Sequence, residues 1–380
     1  MDAAIRLLAD LVAIDSVNPS LVPGGAGEAL AAAYAADRLR AAGMDVESTD
    51  VLPGRPNVVA VAEGRLPGRS LVFCGHLDTV GVEGMPSPFD PLIRGNRLYG
   101  RGAQDMKAGV AAMIDAAARG LTRGLRRGRL VVACVIDEEY ASAGADAFAA
   151  VWRADAAVIP EPTGLAIGVA HKGFSAAEIV VHGRAAHGSR PDEGRDAILR
   201  MGRVLAELEA LDRRLQGGTP HPLLGLPSLH ASHIQGGGEL SSYPARCRLE
   251  MERRTLPGEA LSVAADELEG IVAALRVGDP TFSADVRLLL ARPSYALPDG
   301  HHLRTAIEAA CASCGIEAPS LGLSYWTDAA VLGHQAGIGT VLFGPTGAGL
   351  HGPDEYVELD SVIACRDVLS ELIDQWCAGG

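Results

Sequence analysis

Lysine is almost missing from this chain: among 380 residues only Lys107 and Lys172 carry an ammonium side chain, although the basic residues number 33. Positive charge as a whole is outweighed, and the formal net charge is −14. Such a balance excludes a nucleic-acid phosphate backbone or an anionic membrane surface as the expected partner, because both would be repelled. No uninterrupted apolar run reaches membrane-spanning length. The N-terminus, Met1-Asp2-Ala3-Ala4-Ile5-Arg6-Leu7-Leu8, has no basic stretch followed by a continuous apolar one, so no secretory leader is expected. Cysteine is odd in number, at seven, which excludes a disulfide framework. Cys74 and Cys134 lie inside apolar runs, where a reduced thiol acts as a small hydrophobe. Cys311-Ala-Ser-Cys314 has redox spacing but falls in a helical stretch, so a reducing cytoplasm is the expectation. The glycine-rich Gly344-Pro345-Thr346-Gly347-Ala348-Gly349 lacks the Gly-Lys-Ser/Thr ending of a phosphate loop. No nucleophile elbow supports a serine or cysteine hydrolase either.

What is present is enough hydrophobic material, 48%, for a sizeable core, in a length that suits two domains. Residues 2–13 and 27–42 have helical apolar spacing. Short apolar runs at 57–62, 70–74, 130–136 and 156–159 are bounded by Gly, Asp or Pro and read as strands, with an Ala-rich helix at 107–121 between two of them. This is βαβ material and implies an α/β domain with a mostly parallel sheet flanked by helices. From Phe174 the style changes. Strands at 174–182, 229–234, 246–253 and 281–290 and helices at 195–215 and 259–275 follow the order β-α-β-β-α-β, a ferredoxin-like α+β arrangement. The α/β style returns after about residue 291, with a helix near 301–314 and a buried strand at 339–343. The expectation is a discontinuous domain, 1–173 and 291–380, with a domain of residues 174–290 inserted into it.

The chemistry-bearing residues sit at the exits of the expected strands. The strand at 70–74 runs into Gly75-His76-Leu77-Asp78-Thr79, and residues two apart in extended chain share a side, so Asp78 can reach the His76 ring. Asp105 opens a helix, Glu138 and Glu139 follow the strand ending at Ile136, Glu161 follows the one ending at Ile159, and His351 follows the one at 339–343. Open α/β sheets bind ligands outside the carboxyl ends of their strands. One His-x-Asp, four more carboxylates and a second His at such places suit two oxygen- and nitrogen-ligated divalent ions.

Several stretches follow one another in order over nearly the whole chain: Gly75-His76-Leu77-Asp78-Thr79-Val80, Tyr99-Gly100-Arg101-Gly102-Ala103-Gln104-Asp105-Met106-Lys107-Ala108-Gly109, Asp137-Glu138-Glu139, Glu161-Pro162-Thr163, His171-Lys172-Gly173, Ala186-His187-Gly188, Arg254-Thr255-Leu256-Pro257-Gly258 and Leu350-His351-Gly352-Pro353-Asp354-Glu355-Tyr356. In these the chain resembles the dizinc metallopeptidase and deacylase family of acetylornithine deacetylase, succinyl-diaminopimelate desuccinylase, aminoacylase and glutamate carboxypeptidase. The resemblance implies hydrolysis of the amide bond of an N-acyl amino acid or short peptide by a dizinc-activated water. It implies one zinc on His76 and Glu161, the other on Glu139 and His351, with Asp105 bridging, and a cis peptide at Asp105–Met106. Cobalt or manganese could replace zinc on such ligands. Glu138 is implied as general base, Asp78 as the partner of His76, and His187 as an oxyanion donor to the partner subunit of a homodimer formed through the inserted domain. Arg254 is implied for the substrate carboxylate, whose two oxygens suit a planar fork. On local grounds alone His187 also reads as a polar loop residue and Arg254 as an exposed strand charge.

Further substrate contacts are expected from Asp328, which reads equally as structural, from the Gly344 loop, and from Lys107. Both lysines fall inside the family-like motifs, in a chain that otherwise chooses arginine. Two departures stand out: Ser241 replaces the Asn of many relatives, and Trp326 stands where Gly is common. The strongest branch resemblance, in Glu161-Pro162-Thr163 and His171-Lys172-Gly173, is to acetylornithine deacetylase, with the succinyl-diaminopimelate desuccinylase and dipeptidase branches close behind. The alternatives are a dipeptidase or carboxypeptidase of the same family, or a non-catalytic metal-binding descendant.

Overall fold

The computed structural model describes Met1–Ala378. Helix α1 (Ala3–Val12) starts where the Asp2 carboxylate accepts from the Ala4 amide at 2.9 Å, and it buries Ala4, Ile5, Leu8, Leu11 and Val12 along one stripe. Helix α2 (Ala29–Ala41) buries mostly alanines, which lets it lie close to its neighbours. Strands β1 (Asp45–Leu52), β2 (Arg55–Glu63) and β3 (Leu66–His76) follow, then a hairpin of β4 (Leu92–Arg94) and β5 (Arg97–Tyr99). After α3 (Ala108–Arg123) come β6 (Arg127–Val135), α4 (Ala143–Val151), β7 (Ala156–Ile159) and β8 (Ile167–His171). Next are β9 (Gly173–His182), α5 (Ala197–Gln216), β10 (Ser228–Gly236), β11 (Arg246–Thr255), α6 (Val263–Gly278), β12 (Ser283–Arg292) and β13 (Tyr295–Ala296). The chain ends with α7 (His302–Ser313), β14 (Ser320–Leu323), α8 (Ala329–Ala336), β15 (Thr340–Leu342), β16 (Gly347–Ala348), β17 (Tyr356–Glu358) and α9 (Leu359–Ala378).

These elements form two units. The first takes Met1–Val169, Leu297–Leu321 and the chain from Thr327 onward. Its main sheet runs β1-β2-β6-β3-β7-β15-β8. The middle strands β6, β3, β7 and β15 are mutually parallel, while β1 and β2 on one side and β8 on the other pair antiparallel. The parallel strands are buried almost throughout, which is why they read as continuous apolar runs rather than alternating ones. The fold is thus α/β with a parallel centre, as the sequence indicates. β1, with its Asp-Val-Glu-Ser-Thr-Asp sequence, is an exposed edge that composition alone hides. A second small sheet, β16-β17-β5-β4, brings Tyr356 opposite Tyr99.

The second unit takes Ala170–Ala296 and the short stretch Gly322–Trp326. Its sheet, β10-β11-β9-β12, is antiparallel throughout, with Leu249 opposite Ile179 and Val286 on the other side of Ile179. Helices α5 and α6 cover one face, burying Val204 and Leu268 against Ile179, Val181, Leu249 and Met251. The other face carries charges, where Glu178 accepts from Arg248 and Arg287. Element order and strand order together make this the ferredoxin-like arrangement. The stretch 322–326 joins the unit because the Leu323 carbonyl accepts from the Lys172 amide at 3.0 Å and the Trp326 indole donates to the Pro293 carbonyl at 3.0 Å. Its apolar pattern is too short to betray that from sequence.

Candidate metal centre

Three parallel strands of the first unit end in polar side chains. β3 finishes at His76, whose ring is 1% exposed. Its Nδ1 lies 3.0 Å from the Asp78 carbonyl and 3.6 Å from Asp78 Oδ1, and its Nε2 lies 3.2 Å from Asp105 Oδ1 and 3.8 Å from Glu161 Oε1. Glu161 follows β7. After β6 the chain turns sharply at Asp137, whose φ of 70° is left-handed and whose carbonyl accepts from the Ala141 amide at 3.0 Å. That turn delivers Glu138 and Glu139, and both of their amides donate to the Asp78 carboxylate, at 3.2 and 3.1 Å. Asp105 sits in an irregular segment, Ala103–Lys107, and the Asp105–Met106 peptide is cis. His351 lies in the loop before β17, with its Nε2 3.3 Å from Asp105 Oδ2 and 3.3 Å from Glu139 Oε2.

The structure therefore brings together His76, Asp105 and Glu161 in one triad, and Asp105, Glu139 and His351 in another; within each, the potential ligand atoms lie within 4.8 Å of one another. Asp105 serves both, one oxygen to each. Crowding shows in the electrostatics. Burial, then the Asp105 charge, pushes the Glu139 carboxyl up to about 7, and burial pushes Glu161 well above the usual range. Burial likewise drives Glu138 well up. Burial alone would raise Asp78 too, but the His76 ring, Asn18 and the Glu139 amide outweigh it and hold that carboxyl low. His351 is raised to about 10 by its contacts with Asp105 and Glu139. Carboxylates packed this tightly favour cations beside them, Glu139 Oε1 is buried without a hydrogen-bond partner, and the imidazole-carboxylate donor set suits zinc, cobalt or manganese. The residues fit a pair of divalent ions.

The remaining expected contacts fall elsewhere. Lys107 is fully buried and its Nζ donates to the Ile14 carbonyl at 2.8 Å, so it braces the segment behind Asp105 rather than facing a substrate. Gly344 is buried as well. A Cβ there would stand 2.2 Å from the Glu161 carbonyl oxygen, so its role is close backbone packing beside Glu161, not access to His351. Asp328 is buried with Oδ1 unpartnered, and burial pushes its carboxyl up to about 7. His187, Arg254, Ser241 and Trp326 belong to the second unit. His187 is exposed, with Nδ1 2.8 Å from the Ser189 hydroxyl, and the Ser241 carbonyl accepts from the Gly188 amide at 2.7 Å. The Arg254 Nε donates to Glu252 at 2.6 Å, and its guanidinium lies 5.6 Å from the Phe174 ring centroid. Trp326 packs edge-on to His171 and Phe174.

Several supporting residues escape the sequence reading. Asn18 donates to Asp78 at 2.8 Å and to Asp137 at 3.1 Å, and buried Arg55 binds Glu28 at 2.6 Å and Asp137 at 3.0 Å. Arg101 and Glu355, both within the family-like motifs, form another buried pair at 2.6 Å. Arg55 opens β2 ahead of its apolar run, in Gly54-Arg55-Pro56-Asn57, so no local pattern marks it as buried.

The sequence model described as peptidase family M20/M25/M40 matches residues 72–375. The chain belongs to that family. Among curated M20-type relatives, acetylornithine deacetylase from Photorhabdus laumondii is 32% identical over 376 residues, covering 96% of this chain and 92% of the relative. Acetylornithine deacetylase from Myxococcus xanthus is 31% identical over 366 residues, covering 91% and 92%. In fold the chain is similar to a Staphylococcus aureus tripeptidase, with a TM-score of 0.83 at 18% identity over 99% of this chain and 98% of that one. It is similar also to a dinuclear metal-binding M20 peptidase from Bacillus subtilis, with a TM-score of 0.75 at 17% identity over 97% and 96%. The protein is a hydrolase of the M20 family, whose members are metal-dependent. No helix among the described residues is long and apolar enough to cross a membrane.

Proposed function

We propose that this M20 hydrolase is a dizinc amidohydrolase that cleaves the amide bond of an N-acyl amino acid of the acetylornithine class. The observation that carries the reading is the pair of triads sharing Asp105, with Glu138 next to a ligand in sequence and its amide held by Asp78. One ion would be held by His76, Asp105 and Glu161, the other by Asp105, Glu139 and His351. Bound there, such ions polarise a carbonyl and make water a nucleophile at neutral pH. Glu138 accepts a proton from the attacking water and returns it to the leaving amine, a task for which its raised affinity for protons suits it. Asp78 fixes the His76 ring. Arg254 pairs with the substrate carboxylate, Asp328 stands behind the centre as a buried acid, and the partner subunit's His187 stabilises the oxyanion. Residues 1–173 and 291–380 form the catalytic domain and 174–290 the dimerisation domain of a homodimer. Seven free thiols suit a cytoplasmic protein.

The test is amine release from N-acetyl, N-succinyl and longer N-acyl amino acids and from dipeptides, with and without a chelator. Chelator-sensitive release from an N-acyl amino acid is expected. Release from dipeptides alone moves the substrate to the peptidase branch, and no release from any member, with two metals per chain verified, contradicts the reading.

A further inference from the structure

We propose that Arg101 and Glu355 are positioning residues that hold Asp105 and His351 together, and so bear more on the triad Asp105–Glu139–His351 than on the other, which shares only Asp105 with it; the inference rests on the dimetal reading above.

The Glu355 side chain is almost wholly buried, yet all its hydrogen bonds go to one short stretch of chain. Oε2 accepts from Arg101 Nη1 at 2.6 Å and from the Gly102 amide at 3.1 Å; Oε1 accepts from the Gln104 amide at 2.8 Å and from the Asp105 amide at 3.2 Å. One carboxylate thus fixes the backbone that carries Asp105, with its lone pairs fully used. Arg101 spreads the anchor further. Its Nε donates to the Gly81 carbonyl at 3.0 Å and its Nη2 to the His351 carbonyl at 3.4 Å. The planar fork ties the Gly81 loop to the single loop that carries both His351 and Glu355.

His351 needs such an anchor. Its side chain is 54% exposed and it belongs to no helix or strand. Its φ of 59° is a left-handed conformation that a side chain-bearing residue adopts only when its surroundings hold it. The other triad has different supports: His76 ends a buried strand and is braced by Asp78, and Glu161 follows β7 with Gly344 packed against its backbone. A buried ion pair is weak evidence for stability alone. Here the pair joins, by backbone bonds, the two loops that bring Asp105 and His351 to one place.

The experiment strips the full-length protein of metal, then titrates it with Zn2+ alone, reading ions per chain and the dissociation constant of each. Glu355→Gln and Arg101→Lys are compared with wild type, folding being checked by circular dichroism and thermal unfolding. Wild type is expected to take two ions. The variants should bind the ion held by His351 some 10- to 100-fold more weakly, the usual scale for losing a group that orients a ligand, and the other ion, which shares only Asp105, should weaken less. In turnover, kcat should fall with little change in KM. If Glu355→Gln does not fold, Arg101→Lys, which keeps the charge, decides alone. Both ions bound at wild-type affinity, or both weakened equally, overturns the positioning role. A wild type that does not take two ions overturns the dimetal reading itself and this inference with it.

Discussion

His76 and His351 approach opposite oxygens of the same carboxylate, Asp105, from very different surroundings. His76 is enclosed: strand β3 supplies its backbone, Asp78 its second ring contact, and the Asn18–Asp137–Arg55 network backs Asp78. His351 stands in a loop with about half of its side chain in solvent, and its position depends on bonds to its backbone. The lesson is that two ligand sets sharing a carboxylate can be built by different means. One is a by-product of a packed parallel sheet, where every exit position is fixed by hydrogen-bonded neighbours. The other takes Glu139 from the exit of β6 but His351 from a loop, and buried polar groups do for that loop what a strand does for His76.

That contrast can be broken in graded ways. Glu138 belongs to neither set, so Glu138→Gln should leave both ions bound while lowering kcat by about a thousandfold or more, within the range of a lost general base; normal turnover with full metal content would move the base elsewhere. Replacing the histidines in turn should split stability from activity. His76→Ala takes from the buried Asp78 its one imidazole neighbour, leaving Asn18 and the Glu138 and Glu139 amides, and should cost about 3 kcal/mol in denaturant unfolding of the metal-free protein. His351→Ala, at a half-exposed side chain that faces Asp105 and Glu139, should cost less in that assay, about 1 kcal/mol, while abolishing turnover. Equal losses for the two would erase the distinction. Gly344→Ala would press on the Glu161 backbone and should cost about 1–3 kcal/mol, with the first triad weakened in zinc titration more than the second.

The mildest expected effect is a control in the second unit. The Asp279 carboxyl is held down to about 2, first by its hydrogen bonds from Thr281 and then by Arg203. A depressed carboxyl contributes stability that is whole above its unfolded value near 4 and is lost as the pH falls towards 2. Asp279→Asn should therefore make acid unfolding between pH 4 and 2 shallower and leave turnover at neutral pH unchanged. A steeper acid transition would contradict the sign.

Much of this was legible from residue order. Buried parallel strands announce themselves as short apolar runs, so the exits that carry His76, Glu139 and Glu161 could be located, and the alternation in Phe174–His182 marks a sheet with one covered face. What stayed hidden depends on long-range pairing. β1 is polar because it is an edge, and the anchoring of Asp105 by Glu355, 250 residues away, has no local pattern at all. Lys107 and Gly344 misled for a related reason: a motif position near a ligand reads as facing the substrate, whereas both support the ligand from behind.

The scarcity of lysine has a practical side. Lys107 lies fully buried with its ammonium on the Ile14 carbonyl, and Lys172 is part-buried with its own on the Leu226 carbonyl at 2.6 Å. In most proteins, amine-reactive labelling maps the surface. Here, modification of Lys107 requires the segment beside Asp105 to open, so its labelling rate becomes a clock for local unfolding at the centre.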